Sequence, residues 1–373
     1  MYLHQRKNCW NFNYDKGAVM NRLGTVRAMQ GLMLGRMTSL GFDFQDEAML
    51  TTMSLELVRS SEIEGESLNM TEVRSSIARR LGIETAGLVS TSRYVDGVVE
   101  MLMDATQHYD TPLSDERLFG WHNVLFPTGR SGLYAIDVGK YRTGEMQVVS
   151  GPMGHETIHY EAPEPERVPE EMHRFISWVN TEDEIDPVIK AGIAHLWFVS
   201  IHPFDDGNGR ITRAITDMLL ARSEHSSKRF YSMSNEMKIM QKDYYNVLEK
   251  TQKGDGDITE WLLWFLDCFG KALASTEETL SSVIAKSHFW EIHKGIAVNE
   301  RQRKIINMQF DGFFGKLTSG KWAKIGKCST DTALNDIRDL VNKGMLKKNS
   351  EGGRSTNYSL VTESSGNGCI LLI

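Results

Sequence analysis

The sequence has few cysteines and prolines, and it contains no long run of apolar residues. Its four cysteines lie far apart, without the paired spacing of a metal site or a disulfide framework, so we expect reduced thiols in a cytoplasmic protein. No apolar stretch approaches the roughly 18 to 20 residues of a membrane-spanning helix. The N-terminus also lacks the apolar centre of a signal peptide. We therefore expect no membrane partner.

The composition is that of a globular protein with a sizeable core. Of the 373 residues, 40% are hydrophobic and 24% are charged, and the length allows two or three domains. The net charge of −7 is unevenly distributed. Residues 299–362 hold twelve Lys and Arg against six Asp and Glu, a net of +6, which leaves −13 for the remainder. This distribution indicates a small basic module attached to an acidic body.

Apolar residues recur at helical spacing over most of the chain, which predicts a mainly α-helical fold. Strand-like alternation before the C-terminal module is clear in residues 142–161, which we interpret as an irregular β-hairpin. Three short helical patterns and a second hairpin in residues 299–362 predict a winged helix-turn-helix. Helices are expected at 19–40, 46–59, 88–110, 114–126, 170–180, 187–201, 211–222, 236–252 and 257–286.

The most informative stretch is the run from His202 to Arg213 between two helical patterns. Glycines around a polar residue, just before a helix begins, place several backbone N–H groups in one concavity that suits an anion. Two arginines three residues apart add positive charge suited to phosphates. The histidine is a good base near neutral pH, and a nearby carboxylate could hold a metal ion. The residues therefore predict a phosphate site with a base beside it.

This run resembles the signature of the Fic family, His-Pro-Phe-x-Asp-Gly-Asn-Gly-Arg-x-x-Arg, at every specified position. The similarity continues upstream through Ala194–Phe198 and downstream through Tyr244 and Tyr245, and it covers roughly residues 50–270. The resemblance implies a Fic-type helical core with a β-hairpin flap. It also implies transfer of AMP from ATP, with Mg²⁺, to a Ser, Thr or Tyr hydroxyl of a target protein, including possible self-modification.

The resemblance also implies a role for each matched residue. His202 would take the proton from the attacking hydroxyl, and Asp206 would hold Mg²⁺. Gly207, Asn208 and Gly209 would form the anion hole, while Arg210 and Arg213 would take the outer phosphates. Nucleotide contacts are implied for Tyr244, Tyr245 and, in the flap, Val148.

A second motif, Ser60-x-x-x-Glu64-Gly65, follows the predicted helix 46–59. By itself it is typical of a helix end with a solvated glutamate. Beside the signature it resembles the inhibitory motif of the family. The hypothesis is that Glu64 pairs with Arg213 and prevents productive seating of the γ-phosphate.

Two alternatives come from other parts of the chain. His155-Glu156-x-x-His159 spells a zinc-peptidase motif, but that chemistry requires a helix, and the surrounding residues favour a strand. The basic module could make the protein a DNA-binding regulator, although Asp331, Asp336 and Asp339 on its candidate recognition helix would face the phosphates. Such modules also serve as dimer surfaces, and we expect a homodimer.

These patterns define the expected domain organisation. An N-terminal helical region with the inhibitory motif at 60–65 covers residues 1–110, and the catalytic core covers 111–270. A connecting helix at 271–298, the winged helix at 299–362 and a tail at 363–373 complete the chain.

Overall fold

The computed structural model describes residues 1–7, 9–38, 42–83, 88–151, 155, 157–182, 184–310, 315–349 and 356–361. Gly352 and Gly353, in the second predicted hairpin, and the tail expected at 363–373 lie outside these residues. In the described ranges the protein is mainly α-helical, as the sequence predicts. No helix in these ranges has a stretch long and apolar enough to cross a membrane.

Most of the helices are joined by short connections, whereas residues 126–167 separate the fifth helix from the sixth. They are α1 Lys16–Thr38, α2 Phe42–Ile63, α3 Met70–Leu81, α4 Arg93–Gln107, α5 Asp115–Leu125, α6 Val168–Asn180, α7 Pro187–Ile201, α8 Asn208–Glu224, α9 Met233–Ile239, α10 Gln241–Gln252, α11 Thr259–Ile292, α12 Glu300–Phe310, α13 Ser319–Gly326 and α14 Thr330–Asn342.

Within the described ranges, three two-stranded antiparallel hairpins interrupt the helices. They pair β1 Arg130–Ser131 with β2 Tyr134–Ala135, β3 Gln147–Ser150 with β4 Thr157–Glu161, and β5 Leu346–Lys348 with β6 Tyr358–Leu360. The second lies within the predicted hairpin and has a register shift between Val148 and Val149. The first was not predicted, because two-residue strands are too short to show alternation.

Side-chain caps set several helix boundaries. Ser114 accepts a hydrogen bond from the Arg117 N–H, and Asp186 accepts one from the Val188 N–H. The predicted helix 88–110 begins later than expected, because the Ser92 side chain caps α4 by accepting from the Val95 N–H.

The centre of the first part of the fold is the pair α7 and α8. Every residue of α7 from Val188 to Ile201 is buried, and so is nearly all of α8 up to Ala221. A helix that is apolar on all sides lies in the interior of a protein. The loop between these two helices, residues 202–207, is therefore supported from both ends by the core.

The chain divides into two compact units, Met1–Glu277 and Glu278–Ile373. In the second unit, α12, α13, α14 and the β5–β6 hairpin enclose a small core that includes Trp322, Ile337 and Leu346. This order of elements agrees with the predicted winged helix, which stays an interpretation, as do the predicted domain boundaries.

The acidic residues of α14 are arranged differently from the sequence-based expectation. Asp336 is buried and accepts hydrogen bonds from Asn299 Nδ2 (2.9 Å) and Arg301 Nε (3.0 Å). Asp339 accepts from Gln302 Nε2 at 2.8 Å and pairs with Lys343. Both carboxylates are thus engaged within their own unit, and DNA binding by this module stays a prediction.

Candidate active site

His202 lies where α7 ends. Its backbone is left-handed, with φ 50° and ψ 59°, and its N–H donates to the Phe198 carbonyl at 3.1 Å. The residue before a proline is ordinarily extended, but His202 departs from this rule because it closes the helix as a left-handed C-cap. A residue other than glycine rarely adopts this conformation, and such strain is concentrated at functional sites.

The imidazole of His202 is held in one orientation. Nδ1 lies 3.2 Å from the Val199 carbonyl oxygen, which assigns the proton to Nδ1 and leaves Nε2 free to accept one. Burial lowers the pKa of the ring below its ordinary value, so the histidine is neutral at pH 7. A neutral ring with a free Nε2 has the properties of a general base.

Arg142 braces this histidine from the segment before β3. Its Nε donates to the His202 carbonyl at 2.8 Å, and its backbone N–H donates to the Pro203 carbonyl at 2.9 Å. Arg142 lies within residues 50–270, which the resemblance covers, but its bracing role was not foreseen. It fixes the His202–Pro203 backbone against the hairpin segment.

The glycine-rich turn joins the loop to the start of α8. Gly207 has φ 81° and is the N-cap of α8. The Asn208 side chain accepts from the Phe204 N–H (2.9 Å) and donates to the Phe204 carbonyl (2.8 Å). Asn208 therefore closes the loop with its side chain, and the N–H groups in the first turn of α8 have the arrangement that suits an anion.

We expect Gly207→Ala to lower the free energy of unfolding by about 1–3 kcal/mol. An alanine would have to keep the left-handed backbone, and its Cβ would lie 2.8 Å from Phe126 Cε2. Gly120→Ala is the matched control, because Gly120 lies within a helix and has open space around it. Urea unfolding of both variants would measure the difference, and equal stabilities would contradict the expectation.

Arg213 is buried in the first turns of α8 and binds the end of α2. Its Nη2 lies 2.7 Å from Glu64 Oε1 and 3.0 Å from the Ser60 carbonyl, and its Nε donates to Ser60 Oγ at 2.8 Å. Gly209 allows this approach, since a Cβ there would lie 2.0 Å from Glu64 Oε1. The structure therefore brings both residues of the predicted inhibitory motif onto the second signature arginine.

Arg210 has partners that the sequence did not reveal. Its side chain is 2% exposed, and Nη1 donates to Glu66 Oε2 at 2.8 Å and to the Tyr94 hydroxyl at 2.6 Å. The guanidinium carbon lies 5.0 Å from the ring centre of Phe126. Glu66 follows Glu64 by two residues, and this closeness to the inhibitory motif was the signal that could have indicated it. Tyr94 lies in the separate helix α4, so the sequence held no comparable signal for it.

Asp206 lies on the open side of the loop, with 41% of its side chain exposed. Oδ1 accepts from the Gly207 N–H at 2.5 Å, and Oδ2 accepts from the Ser131 hydroxyl of the unpredicted β1–β2 hairpin. Mg²⁺ is commonly bound through one or two carboxylates together with substrate phosphates. The exposed carboxylate beside an anion site fits that ion.

His122 of α5 supports the backbone at Asp206. The Gly139 N–H donates to Nδ1 (3.1 Å), so Nε2 carries the proton and donates to the Asp206 carbonyl at 3.2 Å. Burial lowers the pKa of His122 to about 4, which keeps the ring neutral. The residue also stacks on Phe204, with ring centres 4.3 Å apart.

The residues implied in nucleotide binding differ in accessibility. Tyr244 is 2% exposed, and its hydroxyl lies 2.9 Å from Nε2 of the buried His195. Tyr245 is 42% exposed and lies beside the Ile63 carbonyl, and Val148 is 37% exposed on β3. Tyr245 and Val148 are thus accessible to a ligand, whereas Tyr244 packs in the core.

The zinc-peptidase motif lies on a strand. Residues Thr157–Glu161 form β4, and His159 Nδ1 is 2.7 Å from Glu249 Oε2. Glu156 lies outside the described residues. Among the described residues no group of three or more His, Cys, Asp or Glu could hold a metal ion. The helix that the motif requires is replaced by a strand, which argues against this alternative.

Comparisons with known proteins indicate the same family as the signature at residues 202–213. Residues 112–220 match the model of the Fic/DOC family, and residues 2–83 match a domain of unknown function, DUF4172. A Fic family protein from Desulfovibrio desulfuricans G20 has a similar fold, with a TM-score of 0.53, 20% identity, and coverage of 95% of this chain and 98% of that one. Residues 112–220 are therefore similar to the Fic/DOC family, and the fold is similar to that of a Fic family protein.

Curated relatives are named protein adenylyltransferase Fic. The Drosophila mojavensis protein is 27% identical over 223 residues, which are 58% of this chain and 40% of that protein. The Nematostella vectensis protein is 22% identical over 264 residues, which are 67% of this chain and 52% of that protein. The chain thus spans about half the length of these relatives or less.

Proposed function

We propose that this protein transfers AMP from ATP to a Ser, Thr or Tyr hydroxyl of a target protein, and that Glu64 restrains the reaction. The observation that carries the proposal is the arrangement around the start of α8. The neutral base His202, the carboxylate Asp206 and the arginines Arg210 and Arg213 surround one helix N-terminus. Relatives named protein adenylyltransferase support the same chemistry.

In the proposed reaction the target hydroxyl oxygen attacks the α-phosphorus of ATP. As the new P–O bond forms, the bond from the α-phosphorus to the bridging oxygen breaks, and pyrophosphate leaves. Nε2 of His202 accepts the hydroxyl proton during attack. The N–H groups of Asn208 and Gly209 bind the anionic oxygens of the transferred phosphoryl group, and the Gly207 N–H, which donates to Asp206 in the structure, lies beside them.

The outer phosphates would lie against the two arginines. Asp206 would hold Mg²⁺, which when bound offsets the charge that develops on the leaving pyrophosphate. In the structure Arg213 is already paired with Glu64. Glu64 and the γ-phosphate would therefore compete for the same guanidinium, which is the proposed basis of inhibition.

The partners follow from this chemistry. The target is a protein that presents a hydroxyl side chain near His202, and the protein itself is one candidate. A homodimer and a cytoplasmic location are part of the same proposal. The exposed β3–β4 hairpin offers an edge for an extended target segment by strand addition.

Position-specific labelling of ATP tests the proposed reaction. We expect protein incubated with Mg²⁺ and a cell lysate to incorporate label from the α-phosphate but none from the γ-phosphate. Because wild type is proposed to be restrained, the Glu64→Gly variant should be included. Incorporation from the γ-phosphate would instead indicate a kinase, and no incorporation from either position by the variant would contradict AMP transfer.

A further inference from the structure

The turn that follows α2 binds both arginines of the signature. Gly65, with φ 80°, reverses the chain between Glu64 and Glu66. Glu64 contacts Arg213, and two residues later Glu66 contacts Arg210. In the first contact, the Glu64 carboxylate occupies the guanidinium for which the γ-phosphate is proposed to compete. The second has a different geometry.

The contact to Arg210 uses one end of its guanidinium. Both partners, Glu66 Oε2 and the Tyr94 hydroxyl, bind Nη1. The Tyr94 hydroxyl in turn donates to the same oxygen of Glu66, so the three groups form a closed triangle. Among the described residues, the buried Nε of Arg210 has no hydrogen-bond partner.

The other end of the guanidinium points toward the proposed metal and phosphate site. Nη2 of Arg210 lies 3.8 Å from Asp206 Oδ1. Phe126 covers one face of the guanidinium, so rotation about the end of the side chain is restricted. Nη1 is thus occupied by Glu66 and Tyr94, while Nη2, the end nearer Asp206, and Nε are left for an additional acceptor.

We infer that Glu66 and Tyr94 are positioning residues that hold Arg210 ready for the outer phosphates of ATP. The inference rests on the proposed function, because it assigns Arg210 to those phosphates. A long, flexible arginine loses rotamer entropy when it binds a ligand, and a residue that fixes it beforehand removes part of that cost. Glu66 therefore differs from Glu64. Removing Glu66 weakens ATP binding, whereas removing Glu64 frees Arg213 for the γ-phosphate.

Nucleotide affinity tests the inference. In the Glu64→Gly background, calorimetry would measure the binding of Mg·ATP and of AMP to Glu66→Ala, Glu66→Gln and Tyr94→Phe. The free energy of a hydrogen bond to a charged group corresponds to about a tenfold change in affinity. We expect Glu66→Ala to lose about tenfold in ATP affinity and Tyr94→Phe a similar or smaller factor. AMP, which lacks the outer phosphates, should bind equally to every variant.

Controls separate positioning from a structural role. Glu66→Gln keeps an acceptor oxygen and should lose less than Glu66→Ala. Glu62→Gln removes a carboxylate from the same segment, but Glu62 pairs with Arg59 instead of a signature arginine, so it should match the parent. If Glu66→Ala does not fold, Tyr94→Phe decides the question by the same comparison of ATP with AMP.

The outcomes also distinguish this inference from the proposed function. Unchanged or tighter ATP binding by a folded Glu66→Ala variant would overturn the positioning role, and tighter binding would make Glu66 a second competitor. An equal loss for ATP and AMP would overturn it too. A Glu64→Gly parent that binds ATP without transferring AMP would contradict the proposed reaction, and the ATP–AMP comparison would still decide the role of Glu66.

Discussion

Replacing Glu64 by glycine is expected to raise the rate of AMP transfer by about 10- to 100-fold. The reason is the 2.7 Å contact between Glu64 Oε1 and Arg213 Nη2, which occupies the arginine proposed to take the γ-phosphate. A hydrogen bond to a charged group contributes about 1.5–3 kcal/mol, and each 1.4 kcal/mol corresponds to a tenfold change. Initial rates of label incorporation from α-labelled ATP would measure the effect.

The control for this prediction removes a carboxylate two residues away. Glu62→Gly makes the same chemical change in the last turn of α2, but the Glu62 carboxylate lies 2.6 Å from Arg59 instead of Arg213. It should transfer AMP at the wild-type rate. If Glu64→Gly still binds ATP and transfers AMP no faster than wild type, the inhibitory role is wrong.

Replacing His202 by alanine is expected to abolish most AMP transfer, with a loss of about 10²- to 10⁴-fold. The imidazole is neutral and has a free Nε2, so it can accept a proton from an alcohol whose own pKa lies far above neutrality. Its ring is hydrogen-bonded to the Val199 carbonyl and is not among the groups that bind Arg210 or Arg213. The affinity of the protein for ATP should therefore be nearly unchanged. Rates should be measured in the Glu64→Gly background, where the loss is easiest to detect.

His225 provides the matched control for His202. It is also a histidine that closes a helix in the left-handed conformation, with φ 48° at the C-terminal end of α8. His225→Ala therefore makes the same substitution at a left-handed position, but at the opposite end of α8 from the signature loop, and it should keep full activity. Residual transfer by His202→Ala at the rate of the His225 variant would exclude His202 as the base.

The features predicted well from sequence are those that depend on local pattern. Apolar spacing placed α7 and α8, and α7 begins at Pro187 as predicted. The signature placed the loop between them, because its glycines and charged residues are contiguous. A mainly helical fold with a hairpin before α6 followed from the same patterns.

What was missed depends on contacts between segments distant in sequence. Tyr94 reaches Arg210 across 116 residues, and the Ser131 hydroxyl reaches Asp206 across 75. No spacing rule connects such pairs, since their meeting depends on how whole helices pack. The left-handed backbone of His202 was missed for another reason, because rules for the residue before proline favour an extended conformation and the closing of α7 overrides them.

The buried position of Arg213 has a consequence for the amount of protein in a cell. Glu64 partly neutralises this cation, and a buried charge that loses its partner destabilises the folded state. Glu64 is itself 31% exposed, so solvent screening limits the effect to about 1–2 kcal/mol. A loss of that size changes protein abundance several-fold through chaperones and proteases. A Glu64→Gly variant would therefore be cleared faster than wild type, which would offset part of the gain in AMP transfer expected for it.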